Sequence, residues 1–309
     1  MFRLRSLVPR PRSTTRLLIP VAAVAAVAGV LMPPAAAAGT SPTAVGTTTL
    51  VTYRAAHHPG YDRVVFEFRG PLPERTTFRY VDRLLADGSG LPVRLAGAAR
   101  LQVVFQGAQA HTDAGQPTVP ARTGYALPAV HELVRAGDFE GYVTYGIGVS
   151  KATHVRMFTL TQPSRVVFDI ATSYRWIGAR VYFVNGSNYA VGRLPLETAV
   201  WRPISTPAVL AASLHRLFAG PTPGEQARGL RLVLSGATGF SKVTLVNGVA
   251  RVYLTGPVTS GGSTETIANL IIPTMRQFPS VRWVKIYDEH GQTEQPWGTS
   301  NSIPFSLEP

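Results

Sequence analysis

RVVFEF at positions 63–68 returns as RVVFDI at 165–170, and the two copies frame most of the first half of the chain. In each copy the large apolar residues alternate. Val64, Phe66 and Phe68 point one way and Arg63, Val65 and Glu67 the other, while Val166, Phe168 and Ile170 oppose Arg165, Val167 and Asp169. A strand sends successive side chains to opposite faces, so each copy reads as a half-buried strand with an apolar inside and a charged outside. Two related strands 102 residues apart predict a sheet-on-sheet module that opens and closes with similar elements.

The residues between the copies fit that plan. Segments 48–53, 77–84, 101–105, 130–134, 142–149 and 155–160 are rich in β-branched and aromatic residues, and the turn Asp87-Gly88-Ser89-Gly90 leads into a further strand at 91–95. Residues 109–122, with Pro117 and Pro120, read as a long surface loop. Many short strands separated by turn signals predict an all-β sandwich over 47–172. The texture then changes. A strand at 181–184 ends in the turn Asn185-Gly186. A helix follows, capped by Ser205 or Thr206, with Pro207 in its first turn, Gly220 past its end, and Val209, Leu210, Leu214, Leu217 and Phe218 on its apolar face. Asn247-Gly248 between 242–246 and 249–254 marks a hairpin with a type I′ turn. Ile267, Leu270, Ile271, Met275 and Phe278 recur at helical spacing around Pro273, and 281–287 is a last strand. The order β–α–ββ–α–β predicts an α+β module over 180–300, with helices packed on one sheet. Residues 173–179 read as its linker and 301–309 as a tail. Each half is long enough for a core of its own.

The first 38 residues belong to neither module. Arg3, Arg5, Arg10, Arg12 and Arg16 come without any acid, an apolar run from Leu17 to Met32 follows, and Ala35-Ala36-Ala37-Ala38 precedes Gly39. This is the pattern of a cleaved export signal, with 39–46 as a spacer. It predicts the general secretory route and an extracellular or wall-associated product, the alternative being an anchor left uncut. Its removal lowers the formal charge from +13 to +8, spread along the chain without a dense block. That basicity suits an anionic envelope polymer; no aromatic-basic nucleic-acid signature accompanies it. The absence of cysteine excludes disulfides, thiolate metal sites, a cysteine nucleophile and a lipid-modified N-terminus.

Two family resemblances rest on segments in matching order. GYDRVVFEF (60–68), VDRLLADGSG (81–90), GDFEGYVTYGIGV (137–149) and SRVVFDI (164–170) resemble the AMIN-like module of actinobacterial secreted proteins, a group named for the cell-wall targeting domain of amidases. VYFVNGS (181–187), LFAGPTPGEQARGLR (217–231), VTLVNGVARVYLTG (243–256) and QFPSVRWVKI (277–286) resemble a GerM-type sporulation and germination (GerMN) module. The resemblances imply an envelope location and wall or partner binding, without an established chemistry.

The residues themselves offer no catalytic constellation, cofactor motif or metal spacing. His57-His58 are adjacent and face opposite sides of a strand. His111 and Asp113 share a polar loop and offer at most two ligands. Asp138 and Glu140 are two apart without a nucleophile, Gly146-Ile147-Gly148 has no helix after it, and no G-x-S-x-G elbow occurs. Binding surfaces are better supported. Tyr142, Thr144, Gly146 and Gly148 alternate with Val143, Tyr145, Ile147 and Val149, which predicts either a shallow polar-aromatic ledge for a glycan or glycines that relieve crowding between layers. Arg63, Glu67, Arg165 and Asp169 face outward, placed to meet carboxylates and ammonium groups of wall peptides or to pair with each other. The sequence therefore predicts a secreted, non-enzymatic envelope protein. Its first module binds peptidoglycan or another anionic wall polymer, and its second engages a protein partner or self-associates. The alternative is an accessory regulator of an envelope sensor kinase or wall hydrolase that does not touch the wall.

Overall fold

The two echoing strands lie side by side. In the computed structural model, which describes residues 48–309, β2 (Tyr61–Arg69) and β10 (Ser164–Ala171) are antiparallel neighbours with Val64 opposite Phe168 and Val65 opposite Val167. The expected signal segment and spacer lie outside the described residues. Antiparallel pairing of two R-x-x-x-acid repeats sets the arginine of each copy opposite the acid of the other: Arg63 faces Asp169, and Glu67 faces Arg165. The repeat is self-complementary, so charge and apolar alternation select the same register.

The first module is a sandwich of two five-stranded sheets. One has the order β5-β1-β2-β10-β9, adding β1 (Thr48–His58), β5 (Ala108–Gln109) and β9 (Val155–Thr161). The other has the order β3-β4-β8-β7-β6, from β3 (Arg75–Val81), β4 (Ala99–Gln106), β6 (Arg122–Gly124), β7 (Val130–Phe139) and β8 (Tyr142–Val149). Tyr53, Phe66, Phe68, Phe105, Tyr145 and Phe168 interlock between them. Polar ties cross the same gap. The fully buried Asp62 accepts from the Ala129 and Val130 amides at 2.6 and 2.9 Å and from His57 Nδ1 at 2.7 Å. Burial of such a carboxylate is tolerated because its oxygens are bonded on both sides.

Residues 82–98 are not the strand expected at 91–95. They form a strap across the outer face of the second sheet, held by Leu84 and Leu95 against Val134 and Ala136. The buried Glu132 fixes it, accepting from the Ala96 amide and from Arg122. Pro92 removes a ladder donor, and the segment packs flat through side chains instead.

The second module holds more elements than the sequence predicts. β11 (Trp176–Asn185) begins inside the expected linker and pairs along its whole length with β12 (Glu197–Ser205), while β13 (Leu230–Arg231) adds a short third strand. Asn185 caps the short α1 (Gly186–Ala190) rather than ending a strand in a turn. A second sheet contains the expected hairpin, β14 (Gly239–Val246) and β15 (Val249–Thr255), with β16 (Trp283–Tyr287) parallel to it. Asn247 and Gly248 have φ of 51° and 78°, as a type I′ turn requires. The helices α2 (Val209–Ala219) and α4 (Ile267–Arg276) share one core with both sheets instead of lying on one. Neither Ser205 nor Thr206 caps α2; the N-cap is Ala208, without a side-chain bond. Thr266 caps α4 in a capping box with Asn269. α3 (Pro223–Ala227) explains the motif GPTPGEQ. Gly220 turns the chain at φ 78°, Thr222 and Glu225 form a capping box, and Glu225 also holds the buried Arg202. Residues 301–309 are built in: Ser302 pairs with the β16 backbone and Leu307 is buried. Among the described residues, no helix is long and apolar enough to cross a membrane.

The modules meet through Arg216. This α2 side chain is fully buried and donates to Pro203 O at 2.7 Å, Val130 O at 3.1 Å, Pro128 O at 3.0 Å and Leu127 O. No carboxylate among the described residues forms a salt bridge with it, and burial pushes its pKa down to about 9. Lys151 Nζ donates to Thr206 O at 3.1 Å, and the backbone of Gly124 lies against Ala219 O.

Candidate functional site: an arginine-rich sheet face

The outer face of the β1-β2-β10-β9 sheet gathers four of the six residues singled out from the sequence. Register places them in rows across the strands. Ala56, Arg63, Asp169 and Arg156 form one row, Arg54, Val65, Val167 and Phe158 the next, and Thr52, Glu67, Arg165 and Leu160 the third. The middle row, apolar except for Arg54 at its β1 end, is thus flanked by charge.

The charges are not equivalent. Arg63 donates to Asp169 from Nε and Nη2, at 2.7 and 2.8 Å, and its guanidinium lies 5.2 Å from the Tyr61 ring centre and 5.3 Å from that of Phe158. The hydrogen bond to Asp169 raises the Arg63 pKa further. A bidentate, stacked arginine is a fixed part of the sheet. Glu67 leaves its cross-strand neighbour and pairs with Arg54 at 3.2 Å. Arg165 therefore keeps only weak bonds, at 3.3 Å, to Gln162 O and Pro163 O, and Arg156 lies over Phe158 at 5.2 Å. The pairing runs across strands, not along one. Four guanidiniums face two carboxylates, and a groove of about 250 Å³ lined by Arg54, Arg63, Leu160 and Arg165 runs between them.

The ledge expected around Tyr142 is absent. Thr144 is 2% exposed, and a Cβ on Gly146 would lie 2.4 Å from Leu84, one on Gly148 1.8 Å from Ala96 O. The strap covers this face, and the glycines are there to let it approach. Tyr142 alone stays open, paired across the β7–β8 turn with the exposed Phe139. Tyr145 is inside, as its alternation predicts, with its hydroxyl unpartnered among the described residues and its pKa raised by burial.

The remaining polar candidates do not assemble into chemistry. Asp138 accepts from the Ala110 amide and His111 Nδ1, both at 2.9 Å, which organises the 108–118 loop. Glu140 sits apart in the turn at φ 50°. No group of three metal-ligating residues occurs among the described residues. The buried charges Asp62, Glu132 and Arg216 were not marked by the sequence, because backbone groups far along the chain hold each of them.

Residues 48–172 match the model of the AMIN-like domain, and residues 180–293 match the model described as sporulation and spore germination. The chain is an AMIN-like domain followed by a Germane (GerMN) module. Both are non-catalytic families, which fits an envelope-associated, non-enzymatic protein. No curated protein and no solved structure matches the chain significantly.

Proposed function

We propose that this is an exported envelope protein whose AMIN-like module docks on an anionic wall polymer, peptidoglycan foremost, through the outer face of β1-β2-β10-β9. The carrying observation is the excess of guanidinium over carboxylate on one flat face, with Arg156 and Arg165 unclaimed by any acid among the described residues. Unpaired arginines on an open sheet face suit a polymer that offers carboxylates on a sugar and peptide backbone. The test is co-sedimentation of the purified chain with insoluble peptidoglycan. Binding should weaken with salt, and the double variant Arg156→Gln/Arg165→Gln should lose about tenfold in affinity. Wild-type protein left entirely in the supernatant would favour the accessory regulator of an envelope kinase or hydrolase. In the GerMN module, exposed Tyr189, Val191 and Leu194 adjoin a groove lined by Tyr182, Pro195, Ile272 and Pro273, which supports engagement of a protein partner or self-association there. Sedimentation velocity with Leu194→Asp tests the self-associating form.

A further inference from the structure

A second concentration of unpaired arginine lies where the modules meet. The strap supplies Arg83 and Arg94, β4 supplies Arg100, and across from them stand His215 and Phe218 of α2 with Thr238, Phe240 and Thr255 beside β14 and β15. They enclose a cleft of about 490 Å³, within the range of small-molecule sites, which favour domain boundaries. One wall is aromatic: the rings of His215 and Phe240 are 4.8 Å apart, and those of Phe218 and Phe240 6.1 Å. The opposite wall is cationic. Arg94 is anchored on Phe218 O, near the C-terminal end of α2. Arg83 and Arg100 make no side-chain hydrogen bond and no salt bridge among the described residues, and Asp82 is the one acid lining the cleft.

Three guanidiniums against one carboxylate make this lining attractive to an anion. Burial first, and then Arg100 and Arg216, holds His215 down to about 4, so the imidazole is neutral at physiological pH and adds a flat, uncharged ring to the wall. The cleft therefore pairs two free guanidiniums with a surface for stacking. A solvated charged rim would not also present an aromatic wall at this depth.

We propose that this cleft binds an acidic sugar, with Arg83 and Arg100 taking its carboxylate or phosphate and the part-exposed rings of His215 and Phe240, backed by the buried Phe218, taking the ring face. The site is separate from the β1-β2-β10-β9 face and does not depend on wall docking there. A ligand held here touches both modules and fixes their junction.

Titration of the full chain by calorimetry and by amide chemical shifts tests this. The probes are N-acetylmuramic acid for the carboxylate, glucose 1-phosphate for the phosphate, and N-acetylglucosamine and glucose as neutral counterparts. At least one acidic probe should saturate below about 10 mM and bind about tenfold more tightly than its neutral counterpart. Shifts should centre on Arg100, His215 and Phe240. Arg83→Gln/Arg100→Gln should lose about tenfold or more with unchanged melting, whereas Arg156→Gln/Arg165→Gln should bind these probes as the wild type does. Retention of peptidoglycan co-sedimentation by Arg83→Gln/Arg100→Gln would separate the two sites. The proposal is overturned if no acidic probe shifts the cleft resonances, if neutral sugars bind as well, or if Arg83→Gln/Arg100→Gln binds unchanged.

Discussion

Arg216→Ala should destabilise the whole molecule, and its magnitude follows from what the guanidinium touches. Four carbonyls accept from it. Pro128 O keeps Ser150 Oγ at 2.7 Å and Tyr174 Oη at 3.0 Å, whereas Leu127 O has no other donor among the described residues. One orphaned buried carbonyl costs about 1–3 kcal/mol, and loss of further charge-assisted bonds adds to it. Against this, removing a buried cation recovers desolvation energy of a few kcal/mol. With the cavity left behind, the expected net loss is about 2–4 kcal/mol, or roughly 5–15 °C in Tm for a fold of this size. Urea unfolding followed by Trp fluorescence reads it. Arg216→Met separates the opposing contributions, because it keeps the volume and removes the charge and the bonds. It should remain less stable than wild type by about 1–3 kcal/mol, with the two modules no longer unfolding together. An Arg216→Met protein as stable as wild type would mean that the cation's desolvation outweighs its bonds, and the junction would then be held by apolar contact alone.

Four further outcomes follow from single contacts. A double-mutant cycle of Arg63→Ala and Asp169→Ala should give a coupling of about 1 kcal/mol, and additive losses would show the fork to be idle. Gly148→Ala should cost about 1–3 kcal/mol and open the strap to proteolysis near Gly88, because its Cβ would strike Ala96 O, while Tyr145→Phe should gain about 1 kcal/mol by deleting a buried unpartnered hydroxyl. His131 and His215 both titrate lower in the fold than the ordinary 6.5, chiefly through burial. The unfolded chain therefore takes up protons first: stability is full above pH 6.5 and falls as the pH drops toward 4. His215→Gln should flatten that slope relative to wild type by at most about 1.4 kcal/mol per pH unit, measured by urea titration at several pH values.

Much of this architecture is legible because its signals are local. Alternation in 63–68 and 165–170, the Asn247-Gly248 turn and the 267–278 helical spacing each report on near neighbours. Strand β12 escaped because its inward row includes Arg202, which breaks an apolar pattern and is held there chiefly by Glu225, 23 residues on. The strap escaped for a related reason. Its apolar residues alternate like a strand, yet it packs across a sheet whose glycines were compatible with an open ledge or with crowding. Only the third dimension decides between those two. Asp62, Glu132 and Arg216 look like any surface charge until their backbone partners are known.

The echo of residues 63–68 in 165–170 also bears on which arginines are free to act. Antiparallel pairing of two R-x-x-x-acid copies would neutralise itself if both cross-strand pairs formed. Only one does, because β1 contributes Arg54 at the position from which Glu67 can be drawn away. A third cation added to a balanced pair of repeats necessarily leaves one arginine over, and that arginine is Arg165. Arg156, beyond Asp169 in the same row, is left over likewise: Arg63 takes the bidentate geometry of Asp169, and Arg156 lies over Phe158 instead. The fixed pair sets the register and the surplus pair faces solvent. If this division is correct, Arg63→Gln should lower stability with wall affinity spared in the folded fraction, whereas Arg165→Gln should lower wall affinity with stability spared. The reverse pattern would place recognition in the Arg63–Asp169 pair.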